Sequence, residues 1–174
     1  MKRKFYRLIL AAGVFALSAS PLVPAQAADE AQERAELAEA LTGAKVTLHN
    51  GLQTSMSQGK PISAKFEVED GKLQLSIYTV KGDGFSEVVI NLASGKVDKA
   101  ETITDKEDLE HATAQKAAMD KAKITLLAAA DKALKSNSGY RAVSIFPQMK
   151  ADHPVAEVTL ARGKEFKIVT ERLD

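Results

Sequence analysis

An α+β fold is predicted, built from two repeats in which one or two helices precede a three-stranded antiparallel meander and pack on its sheet. Three observations predict it. The stretch Lys45-Val46-Thr47-Leu48 returns as Lys123-Ile124-Thr125-Leu126, 78 positions along. After the first copy the apolar period shortens from about four residues to two, the change expected where helix gives way to strand. The order of elements around the two copies is also the same, which chance produces less readily than a four-residue match.

The chain opens with Lys2, Arg3, Lys4 and Arg7, an apolar run from Leu8 to Leu17, and Ala25-Gln26-Ala27. A basic head, a short greasy segment and a small-x-small end describe a secretory signal peptide over residues 1–27, cleaved after Ala27. The run falls well short of the roughly 20 residues that a spanning helix needs. The mature chain is therefore expected in the periplasm or outside the cell, with no stable membrane span. Cleavage removes four of the 24 Lys and Arg and none of the 23 Asp and Glu, leaving a net charge of three negatives. The two signs are interspersed, which argues against a nucleic-acid partner. The absence of cysteine excludes disulfides, thiol chemistry and cysteine-bound metal.

Residues 28–100 are expected to form the first repeat. Residues 28–42, rich in Ala and Glu with Leu37 and Leu41 at i, i+4, read as a helix ended by Gly43. Thr47 then precedes Leu48, Leu52 and Met56, so its hydroxyl is placed to cap a short second helix stopped by Gly59 and Pro61. Ile62, Ala64, Phe66 and Val68 alternate with Ser63, Lys65, Glu67 and Glu69, a strand with one wet face. Asp70-Gly71 signals a type I′ hairpin to a second strand bearing Leu73, Leu75 and Ile77. Gly82-Asp83-Gly84 turns the chain into a third, with Val88, Ile90 and Leu92 inward, closed by Ser94-Gly95.

Residues 101–174 are expected to repeat the order. The acids Asp105, Glu107, Asp108 and Glu110 open a helix reaching Ala122, suited to the positive end of its dipole. Thr125 stands where Thr47 stood, and Leu126, Ala130 and Leu134 fall where Leu48, Leu52 and Met56 fell. Three strands follow, over about residues 140–146, 155–161 and 165–171, the first two separated by a loop over 147–154 and the last two by Arg162-Gly163.

These residues resemble the PepSY domain family, found in propeptides of thermolysin-like metallopeptidases and in other exported or membrane-attached bacterial proteins. The resemblance is carried by VTLHNGLQTSM, ISAKFEVEDGKLQLSIYTV and VVINLASGKV, from Val46 to Val97. The second copy follows more loosely and lacks the closing Gly-Lys-Val. Where the family pattern has Asp before the closing turn, this chain carries Asn91. The resemblance implies helices on an antiparallel sheet, no catalysis, and binding or inhibition of a peptidase.

No catalytic, cofactor or metal site is assigned. His49, His111 and His153 fall on separate elements without the spacing of a zinc site. No Gly-x-Ser-x-Gly elbow and no phosphate loop occurs, so Gly82-Asp83-Gly84 and Ser94-Gly95-Lys96 read as turns. Glu67, Glu69 and Asp70 are too few oxygen ligands for a calcium loop and read as a solvated strand face. The loop between Pro147 and Pro154 holds Met149, Lys150 and His153 as the candidate partner-binding residues, since a proline-stiffened loop enters a cleft at reduced ordering entropy. The expected function is an exported non-catalytic binding module that docks on a protein or peptide, such as a peptidase. The alternative is an envelope structural or sensing protein holding a small ligand or metal ion between the repeats.

Overall fold

The computed structural model describes residues 24–174. The signal-peptide reading lies outside the described residues, apart from the backbone of residues 24–27, which opens the first helix. Among the described residues the chain is α+β, with four helices and one seven-stranded antiparallel sheet. The first half contributes α1 (Pro24–Leu41), α2 (Leu48–Ser55), β1 (Lys60–Glu69), β2 (Lys72–Lys81), β3 (Gly84–Ile90) and β4 (Val97–Thr102). The second contributes α3 (Lys106–Lys121), α4 (Leu126–Lys135), β5 (Arg141–Lys150), β6 (His153–Arg162) and β7 (Glu165–Arg172).

The helix starts follow the chemistry of their caps. Thr47 Oγ1 accepts from the amide of Asn50 at 3.1 Å, and Asn50 answers by accepting from the Thr47 amide. Thr125 Oγ1 accepts from the Ala128 amide at the same distance. Each satisfies an orphan donor of its helix, a contribution of about 1 kcal/mol. Asp105 caps α3 through the amides of Glu107 and Asp108. The Asp70-Gly71 turn has φ of 49° and 72°, as a type I′ hairpin requires.

The strands lie in the order β4-β3-β2-β1-β5-β6-β7, so the halves join where β1 pairs with β5, through Ala64–Ile145 and Lys65–Ser144. On one face α2 and α4 pack side by side. Gly51 of α2 lies so close to Leu75 and Ile77 that a Cβ there would stand 2.5 Å from Leu75, and Lys132 of α4 reaches Glu171 of β7. On the opposite face, α1 places Arg34 and Leu37 over Lys65 and Ser144, while α3 brings Asp108 to the hydroxyl of Tyr78. The result is three layers, with the middle strands β2, β1, β5 and β6 flanked by helices on both sides.

Four expectations are corrected. The meander of the first half has four strands: β4 pairs with β3 from Ser86–Thr102 to Ile90–Val97, although its sequence, VDKAET, has no apolar alternation to announce it. Leu92 lies beyond β3, in a turn where Asn91 Oδ1 accepts from the amides of Ala93 and Ser94. The face of β1 expected to be wet is covered: Ser63 and Lys65 are buried and Glu67 nearly so, because α1 and α3 lie across it. Finally, the expected loop over 147–154 is mostly strand. β5 and β6 run on to Lys150 and His153 and turn through Ala151 and Asp152 alone. Pro147 is tolerated because the pairing of β5 with β1 has ended before it, so no ladder bond needs its missing amide.

Candidate binding groove

The covered face of the sheet carries charge. Lys65 Nζ stands 2.8 Å from Glu67 Oε2, with side chains 5% and 17% exposed. Desolvation is the largest influence on Glu67 and raises its carboxyl above the usual value, with Lys65 pulling the other way. A cation site or a solvated strand face at Glu67 is thereby replaced by a buried ion pair. Nearby, Gln74 donates to Ser76 at 2.7 Å and Ser76 donates to Glu87 at 2.8 Å. Burial also raises Asp108, against the opposing hydrogen bond from Tyr78. This polar band runs across β1, β2 and β3 and meets α3 through Asp108 and Tyr78, while the Ser63 hydroxyl beside it is buried without a hydrogen-bond partner among the described residues.

Beyond Lys65 the same face opens into a groove of about 200 Å³. Its floor is a single register row, Lys65, Ser144, Thr159 and Ile168, in which each residue pairs with the next across β1, β5, β6 and β7. Three strand spacings make it roughly 15 Å across. Arg34 and Leu37 of α1 form one wall, and Phe146 and Phe166 supply aromatic surface. The charged residues that border it, Arg34, Lys65 and Lys167, are all basic, with Lys167 alternating with Phe166 and Ile168 so that its side chain turns to the α4 face. Lys65 is held by Glu67, and Lys167 Nζ sits 4.2 Å over the ring of Tyr140. Arg34 meets Glu30 only at 3.9 Å. Ile168 is 39% exposed, and β7 is the last strand of the sheet, with its outer edge unpaired among the described residues. A smaller cavity of about 130 Å³ lies between the ends of α2 and α3 and the start of α4, beside the exposed Met56.

The residues singled out from the sequence are elsewhere. Met149 is half-buried opposite Pro154, and Lys150 and His153 face each other at the tip of the β5–β6 hairpin. His153 Nδ1 lies 2.7 Å from Asp174 Oδ2 and 2.8 Å from Arg172 Nη2, which ties the tip to the chain's last residues. None of the three lines the groove. His49 is held by Asp131 at 2.8 Å, linking α2 to α4, and His111 is on α3. Among the described residues no group of three His, Asp or Glu gathers as a metal site, and no helix is long and apolar enough to cross a membrane.

The sequence reading missed Arg34, Phe166 and Ile168. One signal was available: Phe166, Ile168 and Val169 put apolar residues on both faces of a short final strand, more than one covered face of an edge strand would need.

No family model matches the chain, and no curated protein matches it. Among solved structures, it is similar to a protein from Clostridium difficile 630 described provisionally as a lipoprotein. The two are 16% identical with a TM-score of 0.41, over 76% of this chain and 90% of that one. A likeness this distant carries no argument about function.

Proposed function

We propose that this chain is an exported, non-catalytic binding module of two PepSY-like repeats, residues 28–100 and 101–174, that docks a protein or peptide. The observation that carries the reading is the groove itself: a largely apolar trough with an exposed Ile168 and Arg34 on its wall, ending at a strand whose outer edge is unpaired among the described residues. Edge strands offer amide and carbonyl groups to an added strand, while neighbouring pockets select its side chains. The basic, short-apolar, small-x-small head supports export to the periplasm or beyond. The likeness of Val46–Val97 to the PepSY pattern supports a peptidase as partner. His49 and His153 are engaged by Asp131 and Asp174, which supports a structural use of these imidazoles.

The test is affinity capture from envelope extract with mature protein, residues 28–174, beside an Ile168→Asp variant of equal melting temperature. The reading expects one polypeptide enriched by the first and lost by the second. Equal capture by both removes the groove as the site.

A second reading, a sensing or structural protein taking a small ligand or metal ion between the repeats, is favoured by one observation: the groove is walled by both halves. Its volume argues against this, because small-molecule sites usually span about 300–1,000 Å³. Metal analysis of protein purified without chelator or affinity-tag metal decides the metal form of it.

A further inference from the structure

The groove's size, charge and position together narrow what it takes. A space of about 200 Å³ accommodates one or two side chains rather than a whole ligand. Such side chains come from a chain running past the mouth, and the mouth borders β7, whose outer backbone groups are unpaired among the described residues. The other edge, β4, is guarded differently: apart from Ala100 its exposed residues are polar or charged, and Lys99 and Glu101 are paired at 2.6 Å. β7 instead presents Phe166 and Ile168 toward the groove. We infer that β7 accepts an extended acidic peptide as an eighth strand, with an apolar side chain seated over Ile168 and Phe166 and a neighbouring carboxylate facing Arg34. This rests on the binding-module reading and adds the chemistry of the ligand.

The charge argument concerns Arg34. Lys65 is occupied by its buried partner Glu67, and Lys167 lies against Tyr140, whose hydroxyl donates to Glu165. Arg34 is partly exposed at 32%, its contact with Glu30 is long, and among the described residues no acidic side chain lines the groove. A planar guanidinium at an apolar wall suits a carboxylate through paired hydrogen bonds. Two copies joining at β7 are the competing occupant, because an exposed edge pairs with its own kind as readily as with a guest.

The experiment is selection of a random octapeptide display library on the mature protein, with counterselection on Ile168→Asp and, as a groove-filling control, Thr159→Trp. Circular dichroism and melting establish that both variants fold. The expected survivors carry an aromatic or aliphatic residue flanked by Asp or Glu. Synthetic survivors should lose about tenfold in affinity against Arg34→Gln, the usual scale for a charged hydrogen-bonded contact, and should weaken with added salt. Groove-dependent survivors without acidic bias overturn the charge inference and leave the binding module standing. No groove-dependent survivor overturns both. A β7-dependent dimer in sedimentation, abolished by Ile168→Asp, makes a second copy the occupant and overturns the peptide assignment.

Discussion

Arg141, at the start of β5, donates to the carbonyl oxygen of Leu41 at the end of α1, at 2.8 Å, and its second nitrogen reaches Val46 at 3.2 Å. The mirror contact exists: Lys60, at the start of β1, donates to Met119 near the end of α3 at 3.3 Å. Each half thus supplies the cation that satisfies orphan carbonyls at the negative end of the other half's long helix. The arginine also lies over the ring of Phe66 at 5.4 Å.

Arg141→Ala should therefore cost about 2 kcal/mol in urea unfolding, since hydrogen bonds to charged groups contribute about 1.5–3 kcal/mol. Arg141→Lys should recover less than half, because an ammonium cannot span the same carbonyls. Lys60→Ala, which breaks a single longer bond, should cost about 1 kcal/mol or less. Equal losses for Arg141→Ala and Lys60→Ala would contradict this account of the joint.

The Lys65–Glu67 pair is expected to behave as a buried ion pair. Removing one partner, as in Glu67→Leu or Lys65→Met, should destabilise by about 3 kcal/mol, whereas the double replacement should return to within about 1 kcal/mol of wild type. Burial holds the Glu67 carboxyl above its ordinary 4.5, so the folded state binds that proton more tightly. This group thus favours folding below pH 4.5, and the contribution is lost as pH rises through the raised value. Denaturation of wild type and double variant across that window measures both effects.

At the other end of the molecule the sign reverses. The guanidinium of Arg172, and then His153, hold the Asp174 side chain well below the usual 3.8. Its contribution is complete above pH 3.8 and is lost only as pH falls through that lowered value. Carbon-detected NMR titration should place Asp174 below the ordinary 3.8, and Arg172→Ala should bring it back towards that value.

The β5–β6 turn holds Ala151 at φ 47° and Asp152 at φ 66°, a type I′ geometry that Asn-Gly adopts at less cost. Replacing the two residues by Asn and Gly should raise stability by about 1 kcal/mol, the order of the left-handed penalty for a side chain. An unchanged melting temperature would show that the tip carries no such strain.

Much of this fold was legible in the sequence, and the illegible parts have physical causes. Caps and tight turns are local chemistry, so Thr47, Thr125, Asp105 and Asp70-Gly71 could be placed from their neighbours alone. Alternation shows which side chains share a face, but not what lies over it. Lys65 and Glu67 read as wet because the helices that bury them come from residues far away in the chain. Strand β4 owes its existence to pairing with β3 rather than to any pattern of its own. The prolines at 147 and 154 suggested a loop because the register that exempts Pro147 from ladder bonding is set by β1. The groove was least visible of all, since Lys65 and Ile168 come to one floor only through the register of four strands, and Arg34 comes to it only through the packing of α1.

The most direct test of the proposed docking site is site-specific photocrosslinking in envelope extract, with the photoreactive side chain at position 168 or, separately, at position 149. Crosslinking of one polypeptide from position 168, competed by an acidic groove-binding peptide and weak from position 149, is the predicted result. Crosslinking from position 149 with none from position 168 would contradict it and return the contact to the hairpin bearing Met149, Lys150 and His153.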